Sequence, residues 1–109
     1  MTVENPGSVD GMGISKSDGK VVLTISDHID WLNEKNHFSL LEKKIGAYLG
    51  FIKSGQLLEE LPNAKGHEVR IEIIYQHNPS DMGSRFLMAA KQQLLTNGVE
   101  LVYKALPEK

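Results

Sequence analysis

The chain has 109 residues, 40% of them hydrophobic and 24% charged, the balance of one globular domain, so a single domain over 1–109 is expected. Twelve basic against fourteen acidic residues give a net charge of -2 with no basic stripe, which argues against nucleic acid as a partner, since binding there rests on phosphate neutralisation. The absence of cysteine excludes disulfides, thiolate zinc sites and cysteine nucleophiles.

In chain order, "MTVENPGS" (1–8) is polar and carries Pro6-Gly7, which reads as a loose leader. It has no basic n-region or apolar h-region, so no signal peptide is expected. Nor does any apolar run approach the roughly 18 residues of a membrane span; the expectation is a cytoplasmic protein without membrane contact. "VDGMGIS" and "KVVLTIS" are short β-type runs joined by "KSDG", and Asp18-Gly19 is a hairpin signal. In the second run Val21, Leu23 and Ile25 fall on one face, opposite Lys20, Val22, Thr24 and Ser26.

From Trp31 to about Ser54 the period becomes helical, with Phe38, Leu41, Ile45, Tyr48, Leu49 and Ile52 as the buried stripe and Ser54-Gly55 as the stop. "QLLEELP" reads as another helical turn and "NAKGH" as a loop. "EVRIEIIYQ" alternates cleanly as a strand. "NPSD" opens the second helix, with Asn78 as N-cap, Pro79 at the first helical position and Asp81 near the positive end of the dipole. Phe86, Leu87, Ala90 and Leu94 form its inner stripe, Asn97-Gly98 ends it, and "VELVYKAL" is the last strand. The order is β-β-α-β-α-β. Right-handed crossovers place both helices on one face of a four-stranded mixed sheet, an α+β two-layer sandwich. The expected core is Leu23, Ile25, Phe38, Leu41, Ile45, Leu49, Ile71, Ile73, Phe86, Leu94 and Leu101.

The densest chemistry lies in "TISDHIDWLNEKNHF" (24–38), where Asp27, His28, Asp30, Trp31 and His37 form a candidate binding pocket between strand and helix. Sites collect where strand ends and helix N-termini converge. The competing role for Asp27 or Asp30 is a helix cap, with Trp31, seven residues before Phe38, as the first anchor of the stripe. No metal and no cofactor is expected: nothing matches a His-Glu-x-x-His helix, and no two histidines are three or four apart. Ser26, Asp27 and His28 are not a triad, because consecutive strand residues point to opposite faces. "GMGISK" (11–16) lacks the third glycine of a phosphate loop and sits in a hairpin.

On the sheet face away from the helices, Val22, Ile74 and Val102 recur among charged residues and are read as an apolar strip, a candidate interface. Leu40, Ala47 and Phe51 lie off the main stripe of the first helix, and Met88 and Leu95 off that of the second.

"VENP", "VVLTISDHIDW", "KIGAYLGFIKSGQLLEELPNAKG" and "PSDMGSRFL" with "GVELVY" resemble, over nearly the full chain, a family of small bacterial proteins classed as a domain of unknown function. The resemblance implies a stand-alone bacterial domain and carries over no activity, ligand or catalytic residue. The leading expectation is a non-enzymatic protein acting through protein contacts, as a homodimer or with a protein partner in an immunity or regulatory role. The alternative is a small-molecule binder or hydrolase-like enzyme using Asp27, His28, Asp30 and His37 around Trp31.

Overall fold

The computed structural model describes residues 11–106; the expected leader, with Val9 and Asp10 of the first expected strand, lies outside them. Four strands, β1 (Gly11–Ile14), β2 (Val21–Asp27), β3 (Val69–Tyr75) and β4 (Val99–Ala105), alternate with α1 (Glu34–Lys53), α2 (Gln56–Glu60) and α3 (Asp81–Thr96), and a 3-10 turn spans Pro62–Ala64. The sheet runs β1-β2-β3-β4, with β1 antiparallel to β2 and the other neighbours parallel. The expected α+β arrangement is the one found.

Period-2 alternation decides which face is covered. Val21, Leu23, Ile25, Ile71, Ile73, Val99 and Leu101 are buried and meet α1 and α3 in one hydrophobic cluster. The β1–β2 hairpin turns at Gly19, whose φ of 73° suits a residue without Cβ. Asp18 accepts from the Lys20 amide at 3.0 Å and from Arg70 of β3 at 2.5 Å, tying the turn to the sheet. α1 and α3 each return the chain between parallel strands, so both N-termini lie at the carboxyl end of the sheet. Phe38 and Phe86 stack across that end, ring centres 5.0 Å apart, and Lys53 bonds Asn97 at 2.8 Å across the other.

The phase of α1 differs from the sequence expectation. Its buried residues are His37, Leu41, Lys44, Ile45, Tyr48 and Phe51, while Phe38, Leu49 and Ile52 are only half-buried. Phe51, expected off the stripe, is in the core beside Leu57 of α2, so α2 extends the sandwich rather than hanging from it. Both helix starts also move. α1 begins at Glu34 rather than Trp31, and its N-cap is Asn33, whose side chain accepts from the Asn36 amide at 3.2 Å; neither Asp27 nor Asp30 caps it. α3 is capped by Ser80, not Asn78, with Oγ accepting from the Gly83 amide at 3.1 Å and donating to Glu34 of α1 at 2.5 Å. A cap that also ties the two helices together outcompetes one that satisfies a single amide. Met88 and Leu95 are exposed, as their positions suggested.

Candidate functional site

The cluster is assembled by the descent from β2 into α1. Asp27 is the last residue of β2 and falls on the covered face, whereas His28, one residue on, is exposed. Asp27 Oδ1 accepts from the Ile29 amide at 3.2 Å, and Asp30 Oδ1 accepts from the Leu32 amide at 3.1 Å. Two side-chain turns are followed three residues later by the Asn33 cap, so the chain steps down in equal stages. The first turn of α1 then carries His37 under the strand end.

There the imidazole is held on both nitrogens. Nε2 lies 2.6 Å from Asp27 Oδ2, and Nδ1 lies 3.0 Å from the Asp30 main-chain oxygen. A carbonyl can only accept, so Nδ1 carries a proton and donates it. His37 is 0% exposed and Asp27 3%. The pair is closed to any outside molecule: no ring nitrogen is left over, and neither group reaches solvent.

Trp31 forms the lid. Its ring lies on the imidazole with centres 3.7 Å apart and planes 26° from parallel, and its Nε1 donates to the His77 carbonyl at 3.4 Å. On the other side stands Gly83 of α3. A Cβ there would lie 2.8 Å from Trp31 Cζ3, so only glycine lets the indole lie between α3 and His37. The result is a clamp in which one ring joins the end of β2 to both long helices.

The structure therefore brings together Asp27, Trp31, His37 and the main chain of Asp30, but not His28. His28 borders a cleft of about 240 Å³ at the end of the other sheet face, lined also by Ser26, Asp27, Ile74, Gln76 and Leu106. Among the described residues no group of three or more His, Asp or Glu side chains is placed to hold a metal ion.

Two residues of consequence, Lys44 and Gly83, escape sequence reasoning, and Tyr48, expected in the buried stripe, does more there than pack. Lys44 reads as part of the solvated run "EKK", yet it is 0% exposed, with Nζ 5.4 Å from the Tyr48 ring centre. The Tyr48 hydroxyl donates to the Thr24 carbonyl of β2 at 2.6 Å. The signal was available in the spacing His37, Leu41, Lys44, Tyr48, Phe51, which is a 4-3-4-3 stripe once polar residues are admitted to it. Gly83 had no signal beyond being a glycine inside a helix.

Val22, Ile74 and Val102 share the open face, but in three different rows. The register sets Val22 beside Arg70 and Glu100, Val102 beside Glu72 and Thr24, and Ile74 between Ser26 and Lys104. Arg70 bonds Glu72 at 2.9 Å, Lys104 meets Glu72 at 3.2 Å and Lys20 meets Glu100 at 3.4 Å. Ion pairs thus run between the apolar side chains, and the three do not form a contiguous strip.

A family model covers residues 1–107. The chain belongs to DUF6572, a family of unknown function. No curated protein and no solved structure matches it. For this member of DUF6572, then, function must be argued from the side chains. No helix among the described residues is long and apolar enough to cross a membrane.

Proposed function

We propose that the chain works through protein contacts rather than as a catalyst, as a homodimer or against a protein partner. The observation that carries this reading is a set of large apolar side chains left on the surface while the titratable cluster is turned inward. Leu32 is 92% exposed, and Met82, Met88, Leu95 and Leu106 are each more than half exposed. Leu32, Met82 and Leu106 sit at the carboxyl end of the sheet, where both long helices begin; Met88 and Leu95 lie along α3. Grouped exposed apolar residues mark contact surfaces more often than scattered ones do. The hydrolase-like alternative needs acid/base groups that act together on one substrate, and the burial of the Asp27–His37 pair leaves exposed His28 apart from that imidazole.

Native mass spectrometry on tagged chain from its own host tests the proposal. The expected result is an assembly of fixed stoichiometry, either copies of the chain or the chain with one partner, weakened by Leu32→Ser with Met82→Ser or by Met88→Glu. A chain that stays solitary in extract and when pure across the micromolar range, and that retains a small molecule through purification, would overturn it.

A further inference from the structure

The geometry points to β4 as a self-complementary edge that pairs antiparallel with β4 of a second copy about a two-fold axis at Val102, joining two sheets into one. This rests on the protein-contact reading above and names its partner and surface.

The first ground is the open edge itself. Among the described residues β4 is the last strand of the sheet, and its seven residues pair in unbroken register with β3, so no bulge interrupts it. The Leu106 amide donates to the Tyr75 carbonyl at 2.8 Å, so even-numbered residues of β4 turn their main chain toward β3. Val99, Leu101, Tyr103 and Ala105 therefore turn amide and carbonyl groups outward, along an edge of roughly 23 Å at about 3.3 Å per residue. Edges of this length are usually blunted by proline, a bulge or shortness, and β4 has none of these. The opposite edge, β1, is only four residues long and half glycine.

The second ground is charge. Glu100 and Lys104 lie on the same face, two residues either side of Val102. Antiparallel pairing centred on Val102 sets each Glu100 directly across from Lys104 of the second copy, twice. These are non-hydrogen-bonded positions, where cross-strand side chains come closest. Centring on Glu100 or on Lys104 instead opposes like charges, and centring on Leu101 or Tyr103 leaves Glu100 or Lys104 opposite Val102, so the Val102 register alone pairs each Glu100 with a Lys104. The same pairing puts Leu101 opposite Tyr103 of the second copy in hydrogen-bonded positions, which satisfies the outward main-chain groups.

The third ground is the layer above. α3 packs chiefly on β4. Phe86, Ala89 and Gln93 line the side of α3 toward α1. Met88 and Leu95, seven residues apart, fall on the opposite flank, beyond the β4 edge, 57% and 55% exposed. A two-fold copy brings α3 to α3 there and covers both side chains, adding apolar contact to the main-chain ladder.

Sedimentation equilibrium on the purified full chain tests the pairing, with circular dichroism melts to confirm folding of every variant. Wild type is expected to dimerise in the micromolar range. Glu100→Lys and Lys104→Glu should each weaken the dimer by about tenfold or more, since each sets two pairs of like charges across the axis. An equimolar mixture of the two variants should associate again, because in the mixed dimer both cross-axis pairs are once more lysine against glutamate. The double exchange in one chain should also restore the dimer. A wild-type dimer indifferent to both reversals, or a mixture no tighter than either variant alone, overturns the β4 pairing. A monomeric wild type overturns it too; if the native assembly with a foreign partner persists, the protein-contact reading stands without it, and if no assembly exists both fall.

Discussion

Gly83→Ala is expected to destabilise the protein even though alanine is the better helix former. In an exposed helix interior that exchange stabilises by roughly 1 kcal/mol. Here the new Cβ would stand 2.8, 2.9 and 3.0 Å from three carbons of the Trp31 ring. The ring cannot retreat, because its other face lies 3.7 Å from an imidazole bonded on both nitrogens. Overpacking of this kind costs about 1–3 kcal/mol, so the propensity gain is cancelled and the net change is a loss of up to about 2 kcal/mol, or up to several degrees in Tm for a domain of this size. Gly46 and Gly50 of α1 supply the controls: nothing lies within 4 Å of a Cβ at either, and alanine there should raise stability by up to about 1 kcal/mol. Urea denaturation of the three variants, and of Gly83→Ala in a Trp31→Leu background, separates space from propensity. The penalty should shrink or vanish once the indole is gone. If Gly83→Ala stabilises as much as Gly46→Ala with Trp31 present, the indole is not wedged and the clamp is wrongly described.

His37→Ala leaves the Asp27 carboxylate buried without its partner and should cost about 3–5 kcal/mol in urea denaturation; a loss within about half a kcal/mol would mean the pair is not sealed. Asp18, bonded by the Lys20 amide and then by Arg70, is held at about 2, below its ordinary 3.8. Because the folded value lies below the unfolded one, its contribution is present above about pH 4 and is lost as pH falls toward 2, so Asp18→Asn should melt with a shallower fall in Tm across that window than wild type; equal slopes would contradict the assignment. Ile71→Ala, at a fully buried position in the central parallel pair, should cost about 2–5 kcal/mol by thermal or urea melts, and an exposed-site effect there would overturn the register.

The strands were legible because a half-covered sheet writes its two faces as alternate letters: Val21, Leu23 and Ile25 against Val22, Thr24 and Ser26. Helix phase was harder. A stripe defined by apolar residues alone passes over His37, buried against Asp27 and Trp31, and Lys44, buried over the Tyr48 ring, and so it settled a fraction of a turn from the true one. The membership of the cluster around Trp31 could be read, since polar residues crowd a strand end, but its role could not. Asp27, Asp30 and Asn33 are all able to cap, and only the path of the chain assigns two of them to turns and one to the helix. Gly83 is invisible without Trp31 packed on it. On the open face, knowing which residues share a side was not enough. The one-to-one register decided that Arg70 and Glu72 stand among the apolar residues.

The placement of the only tryptophan also makes the chain its own spectroscopic probe. Trp31 touches elements far apart in sequence: His37 at the start of α1, the His77 carbonyl after β3, and Gly83 in α3. Its emission should remain that of a hydrated indole until the β2–β3 parallel pairing, which spans nearly half the chain, has closed and α3 has docked. Far-ultraviolet dichroism will follow helix formation in α1 and α3 before that. A lag between the two signals in stopped-flow refolding would time the long-range closure directly, with no label added and no residue changed.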